Sequence, residues 1–492
     1  TSTSTAQSFY FLKCTVENER PGPIVNTKSE TIGDNNNYTS SRNVASTITS
    51  LYGHVDYRDN AIMDLTQNNY RHIYAYADLQ IEYLNINATG YTRACSSQGT
   101  SISTNYPIFY GRAHNFRIGR GIKQANTGND AATAGSVMGG FETGTTVGST
   151  YNSDNAYKLV IESGKYSSLL GWNVYGRNSS YYGTVYWTLG SDIDRVLKDN
   201  NQLNSYFRNT VNSGSGVNGK SNVRDKAYLI NVKSGTFGVN AAEDGHGDAY
   251  TSGIYMGGYG TGTSSSTRDI SDRYMIVEGG LIYNINCGLK VDSERTNVLT
   301  KLYVKGGEIY NIVGGAGQSR TYGSRIQQIT GGKIRYSVSG GSNGFQSSDG
   351  DGQISSCDTL IYVGGTAQIG DETLVGYITD NNTANDDQGK LYLVEAGCVL
   401  GAGNGSDPDI TAGQVDNSHI IIADNAHILN SVYGGGNYGI VGRRNGTTAK
   451  ATIDILGGTV DRNVYGGSNN SNIFGSTTVN VKGGHVKGAV YG

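Results

Sequence analysis

The chain has 492 residues, of which 72 are Gly, 36 are Tyr and only 4 are Pro, and charged residues make up 16%. Gly at about twice its usual share, without a Gly-X-Y period, excludes collagen, and the wealth of Tyr, Val and Ile excludes an ordinary disordered composition. A net charge of -3 gives no general pull toward nucleic acid or anionic lipid, and no apolar run reaches the roughly 18 residues of a membrane-spanning helix.

Thr1 to Thr5 lack the basic n-region and apolar core of a signal peptide. Yet Gly, Ser, Thr, Asn and Tyr replace Lys and Glu throughout, a composition that points to export. The expectation is an exported chain that has lost its leader, or a piece of something longer. Residues 1–150 are irregular. Positions 79–86 and 115–119 alternate as strands, and Tyr52-Gly53 and Tyr110-Gly111 share a Tyr-Gly corner. This part reads as the irregular start of a β-rich fold, either a cap or early coils.

Residues 151–492 read as repeats. Loose copies cover 159–164 and 229–235. Between them, Ile193, Val196 and Leu197 stand at helical spacing behind Ser191 and Asp192, which predicts a short corner helix over 192–199. From Met275 the unit is regular: alternating apolar residues, a Gly pair, Gly-x-Val or Gly-x-Ile, then a Tyr-Gly or Val-Gly-Gly corner. Val479 and Val481 before Gly483-Gly484 show it, as do Ile453 and Ile455 before Gly457-Gly458, and Leu302 and Val304 before Gly306-Gly307. Central pairs begin at 279, 306, 331, 364, 396, 425, 457 and 483. Period two means strand, and a Gly pair marks a corner needing backbone angles closed to other residues. One such unit cannot bury its own Val and Ile, whereas stacked units can. The fold expected is all-β, a parallel β-helix (β-solenoid) with irregular corner loops. Val304, Ile309, Ile453, Ile455, Val460, Val479, Val481 and Val486 should face inward. Because the chain stops at Tyr491-Gly492 inside a repeat, Gly492 is expected at an open edge that continues in a longer protein or meets a partner.

The strings Asn-Val-Tyr-Gly-Gly (463–467), Ile-Tyr-Val-Gly-Gly-Thr-Ala (361–367) and Val-Tyr-Gly-Gly-Gly-Asn-Tyr-Gly (432–439) resemble those of long, Gly-rich β-helical proteins of Bacteroidota. The likeness covers at least 157–492. It implies a secreted or cell-surface, adhesin-like protein, part of a longer chain or larger assembly.

Parallel β-helices also host polysaccharide lyases and hydrolases, so a carbohydrate-active enzyme is the alternative. Gly245-His246-Gly247 beside Asp244 matches one element of polygalacturonases. The remaining pattern fails: Asp386-Asp387 follows this triplet instead of preceding it, and Arg325-Ile326 continues into Gln327. The other His residues stand singly, and Cys14, Cys95, Cys287, Cys357 and Cys398 form no C-x-x-C. Small buried thiols are expected, with no catalytic residue assigned.

Tyr175, Tyr433, Tyr465 and Tyr491 hold the same place in Val-Tyr-Gly. Stacked coils would bring at least Tyr465 and Tyr491 into register, which makes Tyr433, Tyr465 and Tyr491 candidates for binding a glycan or a protein partner; shielding of the Gly corner is the competing role. Finally, Ser347, Asp349, Asp351 and Asp358 follow the spacing of a Ca²⁺ loop, with Gly352 at the sixth position and Ile354 at the eighth. Ser in place of Asp at position one, and Asp in place of Glu at twelve, predict weak Ca²⁺ binding. The leading expectation is a non-enzymatic extracellular solenoid, a rigid stalk or adhesin-like segment binding glycan or protein through corner loops.

Overall fold

A computed structural model describes residues 50–52, 61–64, 73–74, 79–82, 84–87, 107–111, 116–124, 136–139, 157–166, 168–171, 227–238, 253–257, 272–288, 300–315, 325–342, 357–373, 396–403, 413–443 and 445–492. The predicted helix over 192–199 lies outside them, as do Tyr175, Asp244 to Gly247, Cys14 and Cys95. Among the described residues every regular element is a strand, and the fold is a parallel β-solenoid.

Each coil contributes one strand to each of three faces. A 12-stranded first sheet runs from Ser50–Tyr52 to Gly475–Val481, and a 12-stranded third sheet runs from Ile73–Tyr74 to Val490–Tyr491. Between them, the second face holds a three-stranded sheet at Ala61–Asp64, Leu84–Asn87 and Lys123–Gln124, then a nine-stranded sheet from Lys165–Tyr166 to His485–Val486. Strands from residues 50–138 thus pair into the same first and third sheets as those that follow.

Alternation in the sequence becomes stacking in space. Ile361, Ile420, Ile453 and Val479 form one inward column of the first sheet, and Val363, Ile422, Ile455 and Val481 form the next. On the second sheet Ile309, Ile334, Ile369, Ile428, Val460 and Val486 form another. Val304, Ile309, Ile453, Ile455 and Val460 are fully buried. Burying each such side chain stabilises the fold by about 1.5–3 kcal/mol. Val479 and Val486 pack partly against this core. Val481 keeps its inward register with Ile455 and is 51% exposed.

The corner between first and second sheets takes only three or four residues in every coil from Tyr157 onward. The last residue of each three-residue corner has positive φ, at Gly164, Gly235, Gly280, Gly307, Gly332, Gly458 and Gly484, as does Gly365 at the second position of a four-residue corner. At Gly332 (φ 82) a Cβ would stand 2.6 Å from the Gly307 carbonyl of the coil beneath, so both angle and space demand Gly. The pair expected at Ala396-Gly397 has a different place. Gly397 precedes Cys398–Leu400, which pairs with Ser337–Ser339 and Val432–Tyr433 in the third sheet. One coil therefore runs from Asp358 to Leu400, and Gly-Cys-Val mimics the Gly-x-Val that elsewhere opens a second-sheet strand.

The third corner, between the third sheet and the next first-sheet strand, behaves oppositely. It spans at least nine residues in every coil from Tyr157 onward, and runs from Leu170 to Ala227 in the longest. Toward the C-terminus these connections build a second small core of Cys357, Ala402, Val415, Val441 and Ala449, with Ile473 against it. Isolated parallel bridges link Val415 to Val441 and Val441 to Ile473.

Candidate functional site

Tyr433, Tyr465 and Tyr491 come together. Each follows an inward residue (Val432, Val464, Val490) on the third sheet, so each points outward. Tyr433 pairs with Tyr465, and Tyr465 with Tyr491. Ring centroids are 4.9 Å apart in both steps, with planes 7° and 5° from parallel. Nearly parallel rings at coil spacing cover one another's faces. The column therefore offers ring edges and hydroxyls, rather than the open faces on which a sugar would stack. Asn463 Nδ2 donates to the Tyr465 hydroxyl at 2.8 Å, and Asn463 Oδ1 accepts from the Ala489 amide at 2.8 Å.

A second aromatic group stands at the second corner. Tyr283 and Tyr310 lie 4.8 Å apart, Tyr310 and Tyr336 5.9 Å apart, each pair tilted by 35°. The Arg335 guanidinium sits 4.6 Å from the Tyr310 centroid and donates to its hydroxyl at 2.6 Å. Arg335 also reaches Asp371 at 2.9 Å and Glu308 at 3.3 Å, while Lys333 lies 3.2 Å from both Asp371 and Glu372. Burial pushes the Asp371 carboxyl up. Hydrogen bonds from Thr373 and the Lys333 ammonium outweigh this and hold it well below the usual range. The signal for this group is present in the sequence: Gly-Gly-x-Ile followed at once by Tyr283 and Tyr310, and by Arg335-Tyr336 one coil later.

Of the candidate Ca²⁺ ligands, Ser347, Asp349 and Asp351 lie outside the described residues. Asp358 opens a first-sheet strand and accepts from Asn417 Nδ2 at 2.7 Å. Its carboxyl is pushed up by burial, against which the Asn417 contacts act. Asp416 lies beside it, its amide donating to the Cys357 carbonyl. Burial and the Asp358 charge push the Asp416 carboxyl up to about 6, with Arg443 acting in the opposite direction. Among the described residues no group of three or more His, Cys, Asp or Glu is placed to hold a metal ion. Cys287, Cys357 and Cys398 are buried.

His419 and Asp454, also unforeseen, project from the first sheet and are nonetheless buried. His419 Nε2 lies 2.7 Å from Asp454 Oδ2, and Asn480 Nδ2 donates to Asp454 Oδ1 at 2.9 Å. No helix among the described residues is long and apolar enough to cross a membrane. The fold and its outward columns define a three-sided parallel β-solenoid with a continuous main core and a small second core at its third corner. No protein-family model matches the chain, and comparisons with curated proteins and with solved structures find no match.

Proposed function

We propose that the chain is a non-enzymatic extracellular β-solenoid, a rigid stalk or adhesin-like segment of a large surface protein that binds glycan or protein partners through its corner loops. The observation that carries this reading is the contrast between corners. The first stays at three or four residues in each coil from Tyr157 onward, while the third takes at least nine and varies widely. A uniform stack supplies stiffness, and length variation confined to particular corners is how a repeat scaffold presents contacts. The repeat strings resembling surface proteins of Bacteroidota accord with it. The test pairs a glycan array and a host-surface protein array with a polysaccharide-degradation screen, all on the intact chain. Binding without product release is expected; release of oligosaccharides would overturn the non-enzymatic reading.

One observation favours the alternative, a carbohydrate-active enzyme. Asp416, at about 6, and Asp358 are neighbouring carboxyls raised above their ordinary range, as general acids of glycosidases are. In that case product release would be abolished in Asp416→Asn and retained in Asp371→Asn, a carboxylate at the second corner.

A further inference from the structure

We propose that the column of Tyr433, Tyr465 and Tyr491 is a rail for a neutral, extended β-1,4-linked polysaccharide lying along the solenoid axis. This rests on the binding reading above and names the ligand class and its direction.

The first argument is spacing. The rings recur every 4.9 Å along the axis. An extended β-1,4-linked glycan advances by nearly the same distance per sugar, within a few tenths of an ångström. Three successive sugars therefore stay within hydrogen-bonding tolerance of three successive hydroxyls. Helical glycans, such as α-1,4- and β-1,3-linked glucans, curl away from a straight row.

The second argument is the chemistry the column presents. With its faces closed by stacking, it meets a ligand through phenol edges. A phenol hydroxyl both donates and accepts. In an extended β-1,4 chain each sugar is flipped relative to the last, so the groups facing the rail alternate, and an amphoteric row serves both orientations. At Tyr465, Asn463 supplies a donor to the phenol oxygen and leaves the phenol hydrogen to donate outward.

The third argument is charge and rigidity. The rungs read Val432-Tyr433-Gly434, Val464-Tyr465-Gly466 and Val490-Tyr491-Gly492, all uncharged. The ions nearest in sequence, Asp461, Arg462 and Lys487, lie at the second corner and off the strip itself, and Asp461 pairs with Lys487 at 2.8 Å. A neutral chain suits this strip better than a uronate. Because the rings are already held by their neighbours, little side-chain freedom is lost on binding.

The experiment titrates the intact chain calorimetrically with β-1,4-linked gluco-oligosaccharides of increasing length, and with α-1,4- and β-1,3-linked series of equal length. Affinity should rise with each added sugar in the β-1,4 series until the rungs are filled, and should stay weaker in the other two. Tyr465→Phe keeps the stack and removes one hydroxyl. It should weaken β-1,4 binding about three- to tenfold, the worth of one hydrogen bond, while loss of the Asn463 contact lowers the melting temperature only slightly and leaves the chain folded at the temperature of the titration. Tyr433→Phe should do the same. Equal affinity for all three linkages, or an unchanged affinity in Tyr465→Phe, would overturn the rail. Binding only to another glycan class or to a protein would overturn the rail and leave the proposed function standing. Binding to no glycan and no surface protein would remove both.

Discussion

At the scale of single residues, the first corner decides what each coil tolerates. Gly332→Ala places a side chain at φ 82 and against a backbone carbonyl that cannot move without disturbing the coil beneath. A loss of about 1–3 kcal/mol is expected, read as a lower midpoint in chemical unfolding. Asp424 shows how the same corner is built without Gly. Its φ is 56, an angle that Asp reaches more readily than most residues. Its Oδ2 accepts from the Tyr362 hydroxyl at 2.8 Å and from the Gly365 amide at 3.0 Å. Asp424→Ala keeps the unfavourable angle and loses both bonds, so about 2 kcal/mol should be lost. Asp424→Gly relieves the angle, and should cost less than the Ala variant in the same measurement.

At the scale of elements, the outer face of the first sheet is tied across coils by polar pairs. The buried His419–Asp454 contact joins strands whose partners are 35 residues apart in sequence. Burial alone would raise the Asp454 carboxyl, but hydrogen bonds from His419 and Asn480, and the charges of His419 and Lys482, leave it below the usual range. The sign follows. A carboxyl depressed in the folded chain adds stability above its unfolded pKa, about 4, and loses it as pH falls through the lower folded value. Melting temperature in wild type should therefore fall more steeply below about pH 4 than in Asp454→Asn. At neutral pH, Asp454→Ala should lower stability by about 3 kcal/mol, because His419 and Asn480 are left facing a gap.

At the scale of the whole molecule, a solenoid has one core shared along its length, with each coil touching only its neighbours. Position along the axis should then grade the effect of identical chemistry. Ile420 is fully buried between Ile361 and Ile453. Ile420→Ala should lose about 2–5 kcal/mol. Val479 occupies the same column and is only partly buried, so Val479→Ala should lose less than about 1 kcal/mol. Amide hydrogen exchange offers a second check: protection should be highest in strands such as Asp358–Val363 and Asn417–Ile422, and lowest in Gly475–Val481.

The solenoid was legible in the sequence because its causes are local. Alternating Ile453 and Ile455, and the Gly pair that follows, report strand and corner within one window, and the recurrence of that window implies stacking. The register of Tyr465 over Tyr491 follows from the same recurrence. What the tertiary structure alone decided depends on contacts between coils. Gly397 looks locally like a first corner, and only its pairing partners place Cys398–Leu400 on the third sheet. Asp424 can stand where other coils have Gly because Tyr362 and Gly365 of the preceding coil donate hydrogen bonds to its carboxylate. Cys357, Val415 and Val441 meet in a second core although a full coil of chain separates each from the next. Whether the aligned Tyr rings would show faces or edges was likewise undecided by their spacing in sequence. Near-parallel planes with centroids 4.9 Å apart, one coil to the next, close those faces and leave the hydroxyl row as what a ligand can read.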